Sequence, residues 1–202
     1  MSSTNRGYER HKTDYYVTPQ KHIKDFLTQF FTDIAESGVI DDIQGTVENP
    51  QRLLWLDPCC GGDELHEASY PTVIKEMLNI DIETMDIRED SKAGVKANYL
   101  ETKLDIKPDI IITNPPFFCA KEVIDKALDD VSDGGYVIML LRLNFFGSND
   151  RFDFFKKQMP ILTYVHHRRM SFTDDGKTDS IEYCHMVWQK GRTPDFTMLK
   201  II

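Results

Sequence analysis

The chain has 202 residues, 41% hydrophobic and 28% charged, a balance that fits one soluble globular domain able to bury a sizeable core. No apolar run approaches the ~20 residues of a membrane-spanning helix, and the polar stretch from Met1 to Lys12 lacks the apolar heart of a secretory signal. A net charge of −9 repels phosphate, so any contact with a nucleic acid has to come from local basic patches.

Residues 1–13 read as a flexible polar arm that carries Arg6, Arg10, His11 and Lys12, ahead of a single domain within 1–202. Thr18-Pro19 reads as a helix cap with proline at the first helical position. Residues 20–36 then place Ile23, Phe26, Leu27, Phe30, Phe31 and Ile34 at helical spacing. A strand over 52–56 opens into the turn 58–62, and Pro71 leads a helix over 72–78. Strands follow at 82–87 and 110–113, then a helix over 120–131. The turn Asp133-Gly134-Gly135 delivers the buried strand 136–141. Residues 152–157 read as a short helix ending near Pro160. Two last strands, 161–170 and 181–190, flank a turn-rich stretch from Thr173 to Asp179. Strands alternating with helices predict a Rossmann-like, doubly wound, mostly parallel α/β sheet. A closing pair joined by a polar loop predicts an antiparallel hairpin at its end.

The chemistry concentrates at Asn114-Pro115-Pro116-Phe117, where the apolar run 110–113 stops at two prolines. The Asn114 side-chain oxygen and the Pro115 carbonyl are two acceptors at the end of a buried strand, and together they can hold one amino group. Phe117 can stack on the ring that carries it. The segment Asp57-Pro58-Cys59-Cys60-Gly61-Gly62-Asp63 ends an earlier strand, where glycines let a ligand approach the backbone of an open α/β sheet. Asp86 closes the next strand and can accept hydrogen bonds from both hydroxyls of a ribose. Cys59, Cys60 and His66 are poorly spaced for a tetrahedral metal, so no metal is expected and the thiols read as small packing groups. Four cysteines, Cys59, Cys60, Cys119 and Cys184, show no disulfide framework and predict reduced thiols in a cytoplasmic protein. His166, His167, Arg168 and Arg169 form a late basic cluster.

These residues resemble the adenine-specific DNA amino-methyltransferases that use S-adenosyl-L-methionine and carry an Asn-Pro-Pro-aromatic motif. The motif order is gamma-like, as in small phage-type enzymes. The resemblance spans roughly residues 14 to 190, and it implies the class I methyltransferase fold. It makes Asn114, Pro115, Pro116 and Phe117 catalytic. It implies cofactor contacts from Tyr16, Thr18 and Pro19, with the Thr18 element meeting the cofactor carboxylate. Asp57 would meet the methionine ammonium, with Cys59, Gly61 and Gly62 beside it. Asn98-Tyr99 would meet the adenine end, with Asn98 replacing the usual acid, and Asn114 also borders the cofactor. Phe117 and Phe172 would sandwich a base flipped from DNA, with Arg168 and Arg169 near its phosphates. Asp63 departs from the family turn, where a second spaced glycine is usual, and is expected to reroute the loop. No separate target-recognition domain is visible, so a homodimer or a specificity partner is one expectation. RNA adenine, a protein glutamine amide, exocyclic cytosine and a catalytically silent binding subunit stay open as alternatives.

Overall fold

Side chains alternate between the two faces of a strand, and the central strands here are apolar on both, so the sheet has to be covered on both sides. The computed structural model describes residues 16–36, 49–172, 176–178 and 180–202. The N-terminal arm with its basic cluster, Asp14-Tyr15, and Thr173, Asp174, Asp175 and Asp179 of the late turn lie outside the described residues. Helix α1 (Gln20–Glu36) leads to strand β1 (Trp55–Asp57), helix α2 (Ser69–Leu78), strand β2 (Glu83–Asp86) and strand β3 (Val95–Lys96). Strand β4 (Ile110–Thr113), helix α3 (Ala120–Asp130), strand β5 (Tyr136–Arg142) and helix α4 (Phe152–Lys157) follow. Strands β6 (Leu162–Val165), β7 (Tyr183–Gln189) and β8 (Met198–Ile201) close the fold.

The strands lie in the order β3-β2-β1-β4-β5-β7-β6-β8. Among the described residues β7 runs against both its neighbours, while the other pairings are parallel. Ile110, Ile112, Tyr136 and Ile138 join the core under α1 and α2. Ile111, Val137, Met139 and Leu141 join the core under α3 and α4 on the opposite face. Gly135 allows β5 to start so close to the end of α3. A Cβ there would lie 2.6 Å from Val131 Cγ2 and 2.7 Å from the Asp109 carbonyl oxygen.

The expected elements are present, with shifted ends. The strand expected at 52–56 begins at Trp55, because Pro50 opens a 3₁₀ turn over Pro50–Arg52 and the Asp109 carboxylate accepts the Leu54 amide at 2.9 Å. Helix α2 starts at Ser69, earlier than the expected 72. The strand expected at 161–170 ends at Val165, after which the His167 amide turns to the Ile202 carbonyl at 2.8 Å. β8 was not foreseen. Its four residues are all exposed, so no alternation marks it, and it adds in parallel to β6 at the sheet edge.

On the α1–α2 side a polar line runs through the core. The Tyr70 hydroxyl lies 2.9 Å from His185 Nε2, and His185 Nδ1 lies 2.8 Å from His166 Nε2. His185 stacks flat on Phe26 at 4.1 Å, and His22 meets His166 edge-on at 5.1 Å. Burial holds His22 and His185 below the usual imidazole range. Burial, with His22 adding to it, pushes His166 down to about 3. The unfolded chain takes up protons at these rings below pH ~6.5, while the fold resists them. The contribution of His166 to stability is therefore present above that pH and lost as pH falls toward about 3, with His22 and His185 acting in the same direction. The melting temperature is expected to drop progressively on acidification through this window, and less steeply in His166→Gln. Equal slopes for the two proteins would show that His166 is not held neutral.

Candidate active site

The carboxyl ends of β1, β2 and β4 open on a cleft of about 340 Å³, within the size range of ligand pockets. The turn after β1 forms one wall. Asp57 is fully buried behind it, and its Oδ1 accepts the Cys59 amide at 3.2 Å. Asp57 is not among the residues that line the cleft, whereas Cys59, Cys60, Gly61 and Gly62 are. Burial pushes the Asp57 carboxyl up to about 7, with the nearby Asp86 charge adding to it, against the lowering effect of the Thr113 hydroxyl and the Cys59 amide. Burial also raises the Cys60 thiol, which keeps it protonated and suits it to packing.

Asp86 ties this turn to the end of β2. Its Oδ2 accepts the Gly61 amide and its Oδ1 the Arg88 amide, both at 2.8 Å. Arg88 is buried, lines the cleft and donates to the Gly62 carbonyl at 2.5 Å. Gly62 sits at φ +77°, and a Cβ there would lie 2.9 Å from Lys92 Cβ and 3.1 Å from the Ala68 amide. Asp63, where a rerouted loop is expected, accepts the Leu65 and His66 amides on Oδ1, each at 2.8 Å, in an Asx-type turn. His66 packs its Nδ1 on the same carboxylate at 2.9 Å.

The adenine-side residues of the sequence reading line the cleft as Asn98 and Tyr99. Asn98 Oδ1 accepts the Leu100 amide at 3.2 Å and so caps a 3₁₀ turn, Tyr99–Glu101. Exposed Ile87, next to Asp86, lines the cleft as well.

The second wall joins the segment before α1 to the end of β4. Thr18 is buried, and its hydroxyl accepts Asn114 Nδ2 at 3.0 Å, rather than acting as the helix cap read from sequence. Pro19 precedes α1, and its carbonyl accepts the His22 amide at 3.0 Å. Asn114 Oδ1 is buried and has no hydrogen-bond partner among the described residues. No described residue donates to the Pro115 carbonyl, whereas the Pro116 carbonyl accepts the Cys119 amide at 3.2 Å. Two adjacent acceptors at one strand end are thus left unsatisfied by the described residues.

Next to them lies an aromatic cluster. Phe117 and Phe172 both pack on Tyr183, at 6.0 and 4.8 Å between centroids, and Tyr16 meets Phe172 at 6.0 Å. Arg142, the last residue of β5, lies over the Phe117 ring at 4.6 Å and donates from Nε to the Tyr183 hydroxyl at 3.4 Å. Arg168 and Arg169 are exposed, and Arg169 Nη2 pairs with Glu182 Oε1 at 3.2 Å. Sequence reasoning missed Arg142, Tyr183, Tyr70 and the exposed Phe118, of which Tyr70 and Phe118 line the cleft. Arg142 carried one legible signal, since it is the first polar residue after the apolar run 136–141, at the carboxyl end of a strand.

No protein-family model and no curated protein matches the chain. Among solved structures, it resembles a protein from Listeria monocytogenes assigned as a class I S-adenosylmethionine-dependent methyltransferase. Identity is 14% and the TM-score 0.60, over 92% of this chain and 65% of that one. A Pyrococcus horikoshii protein assigned as an RNA methyltransferase matches at 14% identity and TM-score 0.57, over 93% and 94% of the two chains. The M protein of the type I restriction enzyme EcoKI matches at 12% and 0.52, over 74% of this chain and 43% of its own. The chain thus spans 65% of the Listeria protein and less than half of the EcoKI subunit. The fold is that of class I methyltransferases.

Asp57 titrates with the opposite sign to the buried histidines. Its folded pKa is raised, so its contribution is full below the unfolded value of ~3.9 and is lost as pH rises through about 7. Asparagine mimics the protonated acid. The melting temperature of Asp57→Asn relative to the parent is therefore expected to climb between pH 5 and pH 8. A constant difference over that range would show that Asp57 ionises in the fold as it does in water.

Proposed function

We propose that the chain transfers a methyl group from S-adenosylmethionine to the exocyclic amine of adenine in DNA. One observation carries the proposal: Asn114 Oδ1 and the Pro115 carbonyl, adjacent at the end of β4, have no donor within the described fold. Unsatisfied buried acceptors are costly and uncommon, and a ligand amine with two N–H bonds would satisfy both.

The cleft fits the cofactor by its own chemistry. The Gly61-Gly62 turn presents bare backbone, Asp86 keeps an unused lone pair on each oxygen at the cleft wall, and exposed Ile87 with Tyr99 offers apolar surface for a purine. Asn98 keeps acceptor capacity beyond its bond to Leu100. Bound there, S-adenosylmethionine would supply a sulfonium methyl that is already activated for transfer. Asp57 would act from behind the turn through the Cys59 amide that it orders.

The chain's own residues then act on the acceptor amine. Its lone pair is delocalised into the ring and is weakly nucleophilic. Asn114 Oδ1 and the Pro115 carbonyl would draw both hydrogens and favour a tetrahedral nitrogen with its lone pair free. The bond from Nδ2 to Thr18 holds the Asn114 amide in the required orientation. Once methylated, the nitrogen is cationic and acidic, so one hydrogen leaves to water without a strong base. Phe117 and Phe172, gathered on Tyr183, would flank the ring and offset an unstacking cost of a few kcal/mol.

RNA adenine is the second reading. The Pyrococcus protein assigned as an RNA methyltransferase matches nearly end to end, whereas the EcoKI subunit is more than twice the matched length. Labelled methyl transfer offered to DNA, RNA and protein, followed by nucleoside analysis, separates the two. N6-methyladenine in DNA is expected, and label confined to RNA or protein overturns the DNA assignment.

Two variants split binding from chemistry. Asn114→Ala should lower turnover at least ~100-fold, as the loss of a positioned contact to developing charge does, with calorimetric cofactor affinity nearly unchanged. Asp86→Ala should instead weaken cofactor affinity more than it slows saturated turnover. Wild-type turnover by Asn114→Ala would reduce Asn114 to a structural role, and no heat with the cofactor or its demethylated product would end the proposal.

A further inference from the structure

The cation over Phe117 has no evident role in the fold. Arg142 is half-buried, yet no carboxylate among the described residues pairs with it, in a chain holding 33 acidic residues against 24 basic ones. Other arginines are better satisfied. Arg169 pairs with Glu182 at 3.2 Å. Arg151, also stacked on a phenylalanine, donates to the Phe145 carbonyl at 2.6 Å. Arg142 has a 3.4 Å bond to a phenol and an aromatic face, which leave most of its five N–H donors unused. A partly desolvated guanidinium with spare donors is prepared for an anion, and its planar fork matches phosphate.

The position selects which anion. Arg142 ends β5, whose Met139 pairs with Thr113 of β4, so the guanidinium stands beside the strand end that carries Asn114. It lies over the ring of Phe117, three residues beyond Asn114 in the chain. Every nucleotide carries a phosphate at a fixed short reach from its base, whereas a glutamine amide in a protein carries no anion at any fixed reach.

We infer that Arg142 is a substrate-binding residue that receives a phosphate of the nucleotide whose base reaches Asn114, which makes the substrate a nucleic acid rather than a protein amide. The inference rests on the proposed amine methylation at Asn114. Tyr183 holds the guanidinium through Nε and packs against Phe117 and Phe172, so the phosphate contact and the base-flanking rings form one unit.

The test uses the full chain with Arg142→Gln and Arg142→Lys, after melting curves establish that both fold. Binding to a fluorescent duplex is measured by anisotropy against salt, and KM and kcat are measured on the same duplex. Arg142→Gln is expected to reduce the log–log salt slope by about 0.9, the loss of one phosphate contact. It should raise KM at least tenfold while kcat falls less. Arg142→Lys should restore the slope and recover only part of the affinity, since an ammonium lacks the planar fork. If the parent methylates nucleic acid and Arg142→Gln keeps its slope and KM, this inference alone fails. If the parent methylates only protein, both this inference and the nucleic-acid substrate fall. If Arg142→Gln does not fold, the lysine variant decides: a parental slope with a raised KM supports the contact, and a parental KM overturns it.

Discussion

An acceptor at the carboxyl edge of a buried sheet has to be satisfied by the fold or by a ligand, and the candidate site follows from how that accounting closes. Asp57 takes the Cys59 amide, Asp86 takes those of Gly61 and Arg88, and Asn98 takes that of Leu100. Each such bond also shapes the chain that supplies the donor, so the acids build the cleft walls. At the end of β4 two prolines remove the donors that would close the account. Asn114 Oδ1 and the Pro115 carbonyl are left over there among the described residues, as Asp57 Oδ2 and Thr113 Oγ1 are behind them.

The two faces of the sheet are differently built. Under α3 and α4 the core is apolar, and Phe145, Phe154 and Phe155 meet edge to face. Under α1 and α2 it admits Tyr70, His166 and His185, whose hydrogen bonds each need a particular strand register. An unpaired imidazole in that layer is expensive, so slipping β6 against β7 would break the line and cost more than lost packing. The polar line thus pins the register of the strand pair that carries Tyr183 and the loop to Phe172. It also joins Tyr70, a cleft-lining residue, to the same unit.

Charge is distributed with similar economy. Several lysines, and Arg169, are paired with carboxylates on the surface, pairs that contribute little to stability but keep the basic groups from forming a broad positive face. The guanidinium of Arg142, which no carboxylate among the described residues pairs, stands at the same end of the sheet as the acceptor pair. In the proposed function, such a group lets an acidic protein engage a polyanion through a focused contact rather than through its overall field.

Contiguous motifs were legible from residues alone. The run 110–113 ending in Asn114-Pro115-Pro116-Phe117, the glycine turn after β1 and the acid closing β2 carry their meaning in local periodicity and in what proline and glycine do to a backbone. The alternation of strands and helices likewise determined the sheet and its reversed strand. The tertiary structure alone decided which side chains answer one another. Asn114 takes Thr18 from 96 residues away, Arg142 settles on Phe117, and His185 joins β7 to α2. It also decided β8, whose exposed residues show no alternation and exist as a strand because β6 offers an open edge. The reason is physical: periodicity and turn chemistry act over a few residues, whereas pairing across the sheet depends on strand order and register, which no single segment encodes.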